Sequence, residues 1–121
     1  MTSAELFEVG GVGALEQEGF VHVGSTADIP YLEGRTTAVG EDRVAVFNTE
    51  SGFYAIAAHC PHKAGPLADG IVSERCVTCP LHGWRIDVRT GEVVSGGTGS
   101  VRAYEVAEAG GELFVRAAPA E

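Results

Sequence analysis

Two short segments carry the residues of this sequence that are best suited to bind a metal. The first is a Cys-x-His pattern at Cys60 and His62, and the second is a Cys-x-x-His pattern at Cys79 and His82. Sixteen residues separate the two segments. Each segment offers one thiolate and one imidazole, which are ligands in both zinc and iron–sulfur sites. Because inert buried cysteines and packed histidines do not usually occur in such pairs, the spacing predicts one site with mixed sulfur and nitrogen ligands.

A 2Fe–2S cluster with two cysteine and two histidine ligands suits these four residues. In such a cluster two histidines replace two cysteines on one iron, which raises the reduction potential. We expect Cys60 and Cys79 to bind the inner iron, and His62 and His82 to bind the outer, exposed iron. Reduction makes the cluster more negative and holds the imidazole protons more tightly, so that electron and proton uptake are coupled.

A third cysteine, Cys76, leaves an alternative metal site open. Cys76 and Cys79 form a Cys-x-x-Cys pattern, and zinc could use this pair with Cys60 and one histidine. Strand alternation, however, places Cys76 and Cys79 on opposite faces, and the set of four is complete without Cys76. We therefore expect Cys76 to be a free thiol. His22 is expected to be a packed core or surface histidine, and His59 is not expected to be a ligand, since His62 completes the Cys-x-His pattern.

Composition and charge narrow the class of protein. The chain has 121 residues and a formal net charge of −9, which argues against nucleic acid and anionic membranes as partners. The first basic residue is Arg35, so the positive start of a signal peptide is missing, and no apolar run reaches the length of a membrane span. These features predict a cytoplasmic protein with a basic patch on its partner.

Short alternating or β-branched runs with turn signals between them must position the ligands. The predicted strands are Phe20–Val23, Thr36–Val39, Arg43–Asn48, Phe53–Ala58, Ile71–Ser73, Cys76–Thr78, Trp84–Val88, Glu92–Val94, Val101–Val106 and Glu112–Arg116. Turns are predicted at Gly40–Asp42, Glu50–Gly52, Arg89–Gly91 and Ala109–Gly111, and a weak helical turn at residues 11–18.

These elements predict an all-β fold, a small antiparallel sandwich or barrel. Both ligand segments follow a strand or lie between strands, at hairpin tips, where two loops on a rigid sheet can converge on one cluster. We expect a single domain over residues 1–121, with a cluster-binding subdomain at about 57–95.

Glycines and one tryptophan flank the predicted site. Gly65, Gly70 and Gly83 are expected to bring backbone N–H groups close to the cluster sulfides. The glycine-rich stretch at residues 95–100 could form a third loop beside the cluster. Trp84 could cover the cluster or pack in the core, and the second role is the more common one for a tryptophan.

The ligand segments resemble those of a known family. Residues 59–67 (HCPHKAGPL) and 79–84 (CPLHGW) are similar to the two boxes of the Rieske ferredoxin-like family. Further similar segments lie at residues 27–30, 32–35, 44–47, 69–72 and 90–92. Together, over roughly residues 27–115, they resemble most closely the small subunit of assimilatory NAD(P)H-dependent nitrite reductase.

This resemblance implies a fold, a cofactor and a partner. The fold would be of the Rieske type, and the cofactor a 2Fe–2S cluster on Cys60, His62, Cys79 and His82. The chain would act as an electron carrier without a substrate site of its own. Its partner would be the large subunit of the reductase, which holds flavin, an iron–sulfur cluster and sirohaem and reduces nitrite in nitrate and nitrite assimilation.

Departures from the wider family bear on the potential. High-potential Rieske proteins of cytochrome bc complexes have an extra cysteine in each box, and these form a disulfide; the matching positions here are Gly65 and Leu81. Hydroxyl donors of those proteins match Trp84 and Ile86, which have none. Fewer hydrogen bonds to sulfur lower the potential, so we expect a value of roughly −150 to 0 mV.

Two other functions remain open at this point. One is a stand-alone Rieske ferredoxin that serves a ring-hydroxylating oxygenase. The other is a zinc-stapled β module that mediates binding without redox chemistry.

Overall fold

The computed structural model describes residues 19–59, 66–81 and 83–117, and the described residues form ten β-strands. The strands are β1 (Val21–Ser25), β2 (Gly34–Val39), β3 (Asp42–Thr49), β4 (Gly52–Ala57), β5 (Ile71–Ser73), β6 (Cys76–Thr78), β7 (Arg85–Asp87), β8 (Val93–Ser95), β9 (Ala103–Ala109) and β10 (Glu112–Ala117). Each of them overlaps a predicted strand. The predicted helical turn at residues 11–18 lies outside the described residues.

Six strands form the larger sheet, in the order β1-β10-β9-β4-β3-β2, and every neighbouring pair is antiparallel. The hairpins β2–β3, β3–β4 and β9–β10 turn at the predicted glycine-containing segments. The edge strands β1 and β2 approach each other, so the sheet curls into a nearly closed barrel. This confirms the expected antiparallel all-β fold.

The smaller sheet is an antiparallel meander in the order β5-β6-β7-β8. It occupies residues 71–95 and therefore lies within the bounds expected for a cluster-binding subdomain. Those bounds, and the single domain over residues 1–121, stay predictions.

Two buried groups of side chains hold these layers together. The barrel core consists of residues inside the larger sheet: Ile29, Val39, Val44, Val46, Ala55, Tyr104, Leu113 and Val115. The inter-sheet core joins the two sheets: Ala45, Phe47, Ile56, Leu67, Val72, Val77, Cys79, Ile86 and Val88.

Strand β3 contributes to both cores because its side chains alternate between two buried faces. Val44 and Val46 point into the barrel core, and Ala45 and Phe47 belong to the inter-sheet core. This explains the continuous apolar run of β3, since a strand covered on both faces needs no polar alternation. The smaller sheet thus packs on an apolar face of the larger sheet.

Two short 3-10 turns complete the described part of the chain. Ser25 caps the turn at Thr26–Asp28, and its hydroxyl accepts from the N–H of Ala27 at 3.1 Å. The second turn, Leu67–Asp69, leads from the first ligand segment into β5. Neither turn, nor anything else in the ranges given above, is a helix with the length and hydrophobicity of a membrane span.

Candidate metal centre

The first ligand segment is a loop whose two ends are held together. His59 and Pro66 form an isolated antiparallel bridge. Next to it, the N–H of Leu67 donates to the carbonyl of Ala58 at 2.9 Å. The predicted ligands Cys60 and His62 lie between these ends, outside the described residues. The structure therefore fixes the base of this loop on the end of β4.

The second ligand segment is the tip of the β6–β7 hairpin. The N–H of Cys79 donates to the carbonyl of Trp84 at 2.7 Å, and the N–H of Gly83 donates to the carbonyl of Cys79 at 3.0 Å. Gly83 has a φ of +74°, which favours glycine, and this closes the turn. Leu81 is 54% exposed at the tip. His82 lies outside the described residues.

The bases of the two loops pack into the same core. Leu67, at the base of the first loop, and Cys79, at the base of the second, both belong to the inter-sheet core. Gly70 packs so closely on β6 that a Cβ on it would lie 2.7 Å from Cγ2 of Val77 and would overlap the carbonyl oxygen of Thr78. These contacts place the bases of both loops at the same end of the smaller sheet.

The thiol of Cys79 fits the role of an iron ligand. It is 2% exposed, forms no disulfide and lies among apolar side chains of the inter-sheet core. A buried thiolate beside a neutral imidazole is the donor pair that Rieske-type 2Fe–2S centres use. Such a centre, when bound, supplies reversible one-electron chemistry. The residue types and the burial of Cys79 fit this group.

The convergence of all four ligands stays a prediction, because three of them lie outside the described residues. Within residues 19–59, 66–81 and 83–117, no group of three or more His, Cys, Asp or Glu side chains could hold a metal ion. The structure places only Cys79 and the bases of both loops.

Cys76 differs from Cys79 in its surroundings. It pairs with Asp87 across β6 and β7, and it is a half-buried free cysteine. Val77 and Cys79 are buried, whereas Cys76 and Thr78 are half-buried, so the side chains alternate as expected for a strand. The observed alternation separates Cys76 from Cys79, as the sequence indicates.

His22, which lies outside the ligand segments, is a surface histidine. His22 contacts Glu112 through Nε2 and Oε1 at 2.6 Å, and its ring lies 5.2 Å from that of Phe114. Half of its side chain is exposed. His59 is also exposed and takes part in the bridge that closes the first loop.

The expectation that Gly70 and Gly83 donate N–H bonds to cluster sulfides is wrong for these two residues. The N–H of Gly70 donates to the carbonyl of Leu67 at 2.9 Å, and that of Gly83 donates to Cys79. Gly70 is needed for its close approach to β6, and Gly83 for its positive φ. The third glycine, Gly65, lies outside the described residues.

The predicted turn at Arg89–Gly91 has a charged cap that was not recognised from the sequence; it lies at the end of the smaller sheet away from the second ligand loop, since Asp87 pairs with Cys76. Oδ1 of Asp87 accepts from the backbone N–H of Arg89 at 2.8 Å, and Oδ2 contacts the guanidinium of Arg89 at 3.3 Å. Burial raises the pKa of Asp87, but the hydrogen bonds and charge of Arg89 and the charge of Arg75 outweigh it, so the pKa lies below its ordinary value. The sequence does contain a signal for this cap. Asp87 stands two residues before Arg89, in a turn that ends at Gly91.

Comparisons with known proteins agree with this geometry. The model of the Rieske [2Fe-2S] domain matches residues 19–105. The anthranilate 1,2-dioxygenase ferredoxin subunit of Burkholderia cepacia is 34% identical over 91 residues, which are 75% of this chain and 74% of that protein.

Solved structures show the same fold. The ferredoxin of carbazole 1,9a-dioxygenase from Nocardioides aromaticivorans IC177 has a TM-score of 0.77 and 30% identity, over 82% of this chain and 98% of that one. A protein described as the small subunit of an NADPH nitrite reductase has a TM-score of 0.74 and 22% identity, over 81% of this chain and 98% of that one.

Other relatives are much longer than this chain. The chain spans 12% of the length of a cholesterol 7-desaturase of Ciona intestinalis, with 51% identity over 55 residues, and 14% of one from Hemicentrotus pulcherrimus. The matched stretches cover 44% and 55% of this chain. The chain therefore belongs to the Rieske [2Fe-2S] domain family, whose cofactor is a 2Fe–2S cluster.

Proposed function

We propose that this Rieske electron-transfer protein is the small subunit of an NAD(P)H-dependent nitrite reductase and holds its cluster through Cys60, His62, Cys79 and His82. The observation that carries the proposal is the pair of ligand segments, HCPHKAGPL and CPLHGW, which resemble those of that subunit. At 22% identity, the nitrite reductase small subunit described above supports the fold and not the partner.

The residues on the inner side of the site would exclude water, and those on the outer side would meet the partner. Cys79 lies in the apolar inter-sheet core, which keeps water away from the inner side of the site. Leu81, at the tip of the second loop, is exposed and marks the end of the molecule at which a partner would approach. An electron would then enter and leave at this end, and the protein surface there would determine which partner docks.

The test reconstitutes the reductase from its two subunits. Purified large subunit is assayed for NAD(P)H-dependent nitrite reduction alone, with the wild-type chain, with Cys79→Ser and with Cys76→Ser. We expect the wild type and Cys76→Ser to support turnover equally and Cys79→Ser to fail. A large subunit that reduces nitrite at the same rate without this chain would overturn the proposal.

A second function is favoured by a different observation. The identity of 34% to the anthranilate dioxygenase ferredoxin subunit and of 30% to the carbazole dioxygenase ferredoxin exceeds the 22% to the nitrite reductase small subunit. On this reading the chain is a stand-alone ferredoxin that delivers single electrons to a ring-hydroxylating oxygenase.

The two functions differ in their electron acceptor. The reduced chain is mixed in a stopped-flow instrument with the reductase large subunit or with a ring-hydroxylating oxygenase, and reoxidation of the cluster is followed by absorbance. Faster reoxidation by the large subunit supports the nitrite reductase role, and faster reoxidation by the oxygenase supports the ferredoxin role. The cytoplasmic location expected from the sequence stays a prediction in either case.

A further inference from the structure

The indole of Trp84, the one tryptophan of the chain, lies directly against Gly96 and Gly97 in the glycine-rich loop, residues 95–100. A Cβ on Gly97 would overlap three atoms of its six-membered ring: Cζ2, Cε2 and Cη2. A Cβ on Gly96 would lie 3.0 Å from Cδ1 and 3.1 Å from Cα of the same tryptophan. The indole therefore occupies the space that a side chain at either position would need.

Backbone contacts hold the two ends of the glycine-rich loop together, so the loop can hold the indole in place. The N–H of Val93 donates to the carbonyl of Gly99 at 2.9 Å, and Glu92 forms a bridge with Ser100. One step further out, the N–H of Val101 donates to the carbonyl of Gly91 at 2.8 Å. These contacts tie Gly96 and Gly97 to the end of the smaller sheet.

Trp84 also holds the second ligand loop by its backbone. Its carbonyl accepts from the N–H of Cys79 at 2.7 Å, and this bond spans the loop that contains His82. Trp84 also packs against the inter-sheet core. A continuous set of contacts thus runs from Gly97 through the indole to the backbone of Cys79.

We propose that Trp84 is a positioning residue for the cluster, and that the contact of its indole with Gly96 and Gly97 fixes the second ligand loop in the shape that binds iron. The proposal rests on the ligand set given under the proposed function. Residue 97 must lack a side chain for this reason, because the indole takes its place, which is a requirement different from turn geometry.

Gly97 is the better of the two glycines to test. Gly96 has a φ of +93°, so any side chain there strains the backbone irrespective of the indole. The φ of Gly97 lies outside this left-handed region. Gly97→Ala is therefore allowed by the backbone, and the three atoms nearest to the new methyl group all belong to the indole. The exposed neighbour Thr98 provides a matched control in Thr98→Ala.

The main readout is the rate at which a chelator removes the cluster, followed by bleaching of its visible absorbance. We expect Gly97→Ala to lose its cluster about 10-fold faster than wild type, since outer contacts that orient metal ligands typically change metal affinity by about 10–100-fold. The g values of the reduced protein should shift as well. Thr98→Ala should behave as wild type.

A second substitution separates the indole contact from other effects of Gly97→Ala. The phenyl ring of Trp84→Phe lacks the Cζ2 and Cη2 atoms that the new methyl group would strike. Adding Trp84→Phe to Gly97→Ala should therefore return the rate of cluster loss to that of Trp84→Phe alone. This is a double-mutant cycle on one contact.

Each outcome decides for or against the proposal. Faster loss in Gly97→Ala, together with a double variant whose rate equals that of Trp84→Phe alone, supports it. Gly97→Ala with wild-type cluster loss and wild-type g values overturns it, even if thermal unfolding of the cluster-free protein shifts. A double variant that loses its cluster faster than Trp84→Phe alone also overturns it. A wild-type protein without a Rieske spectrum would instead show that the ligand set is wrong, and both proposals would fall together.

Discussion

Cys76 and Cys79 are three residues apart and differ in the properties that matter for binding iron. Cys79 is 2% exposed at the base of the second ligand loop, whereas Cys76 is half-buried on the other face of β6. The pattern Cys-x-x-Cys does not distinguish them, but the strand predicted over Cys76–Thr78 does, because a strand turns adjacent side chains to opposite faces, and the structure confirms this.

This difference predicts opposite outcomes for the same substitution. Cys79→Ser should abolish the 2Fe–2S cluster, because it removes a thiolate ligand that serine does not replace. Cys76→Ser should retain the full iron content and the spectrum of the wild type. Iron per chain and electron paramagnetic resonance of the reduced protein measure both. Loss of the cluster in Cys76→Ser would contradict the ligand set.

The side chains that follow the second ligand loop predict a low reduction potential. Trp84 lies on the glycine-rich loop and Ile86 is fully buried in the inter-sheet core, and neither carries a hydroxyl that could bond to a cluster sulfur. We expect a midpoint of roughly −150 to 0 mV, the lower half of the Rieske range. A potentiometric titration followed by visible circular dichroism measures it, and a clearly positive midpoint would show that other donors act on the sulfurs.

At the scale of elements, the turn between β7 and β8 should make stability depend on pH. The pKa of Asp87 is lowered in the folded protein from its ordinary 3.8, because Arg89 and Arg75 outweigh the effect of burial. The folded state therefore binds fewer protons than the unfolded one as pH falls through this region. The carboxylate stabilises the fold above about pH 4, and this contribution is lost as pH falls through the lower, folded-state pKa.

Asp87→Asn tests this dependence. The variant should be less stable than wild type at about pH 7, and the difference should shrink as the pH falls below about 4. Urea unfolding across this range gives the two curves. Asp69→Asn, at an exposed position, is the control and should follow the wild type. A constant difference between wild type and Asp87→Asn at all pH values would mean that the charge of Asp87 has no role.

The junction between the first ligand loop and β5 depends on the close approach of Gly70 to β6. A methyl group there meets the backbone of Thr78 and the side chain of Val77, and the backbone cannot rotate away. Gly70→Ala should lower the free energy of unfolding by about 1–3 kcal/mol, as overpacking usually does. Denaturant unfolding of the cluster-free protein measures it, with the exposed Ser73→Ala as control. Equal stability of the two variants would contradict the close packing.

At the scale of the whole molecule, the charge of −9 should govern how fast the protein meets its redox partner. Opposite charge on a partner speeds association, and salt screens it over a distance of about 10 Å at 0.1 M and about 3 Å at 1 M. The second-order rate of electron transfer should fall steeply with ionic strength. Stopped-flow mixing at increasing salt measures this, and a rate that rises with salt would mean that the docking surface of the partner is acidic.

Local patterns in the sequence predicted the strands, the turns and the cofactor correctly, because these depend on residues that are close together in the chain. The predicted strands Ile71–Ser73 and Cys76–Thr78 match the observed bounds, since period-two patterns and turn residues act locally. Residues 59–67 and 79–84 indicated the cofactor for the same reason, as each is a short contiguous segment.

Tertiary structure alone decided which distant residues meet. Nothing in the sequence shows that Gly70 lies against Thr78, that the N–H of Gly83 is used within its own loop, or that the indole of Trp84 rests on Gly97. These contacts arise because the smaller sheet is a meander of neighbouring antiparallel strands that packs on β3. The sequence does not show whether a glycine is needed for its φ, for a hydrogen bond or for the space beside it. The residues packed around that glycine in the structure show which of these applies.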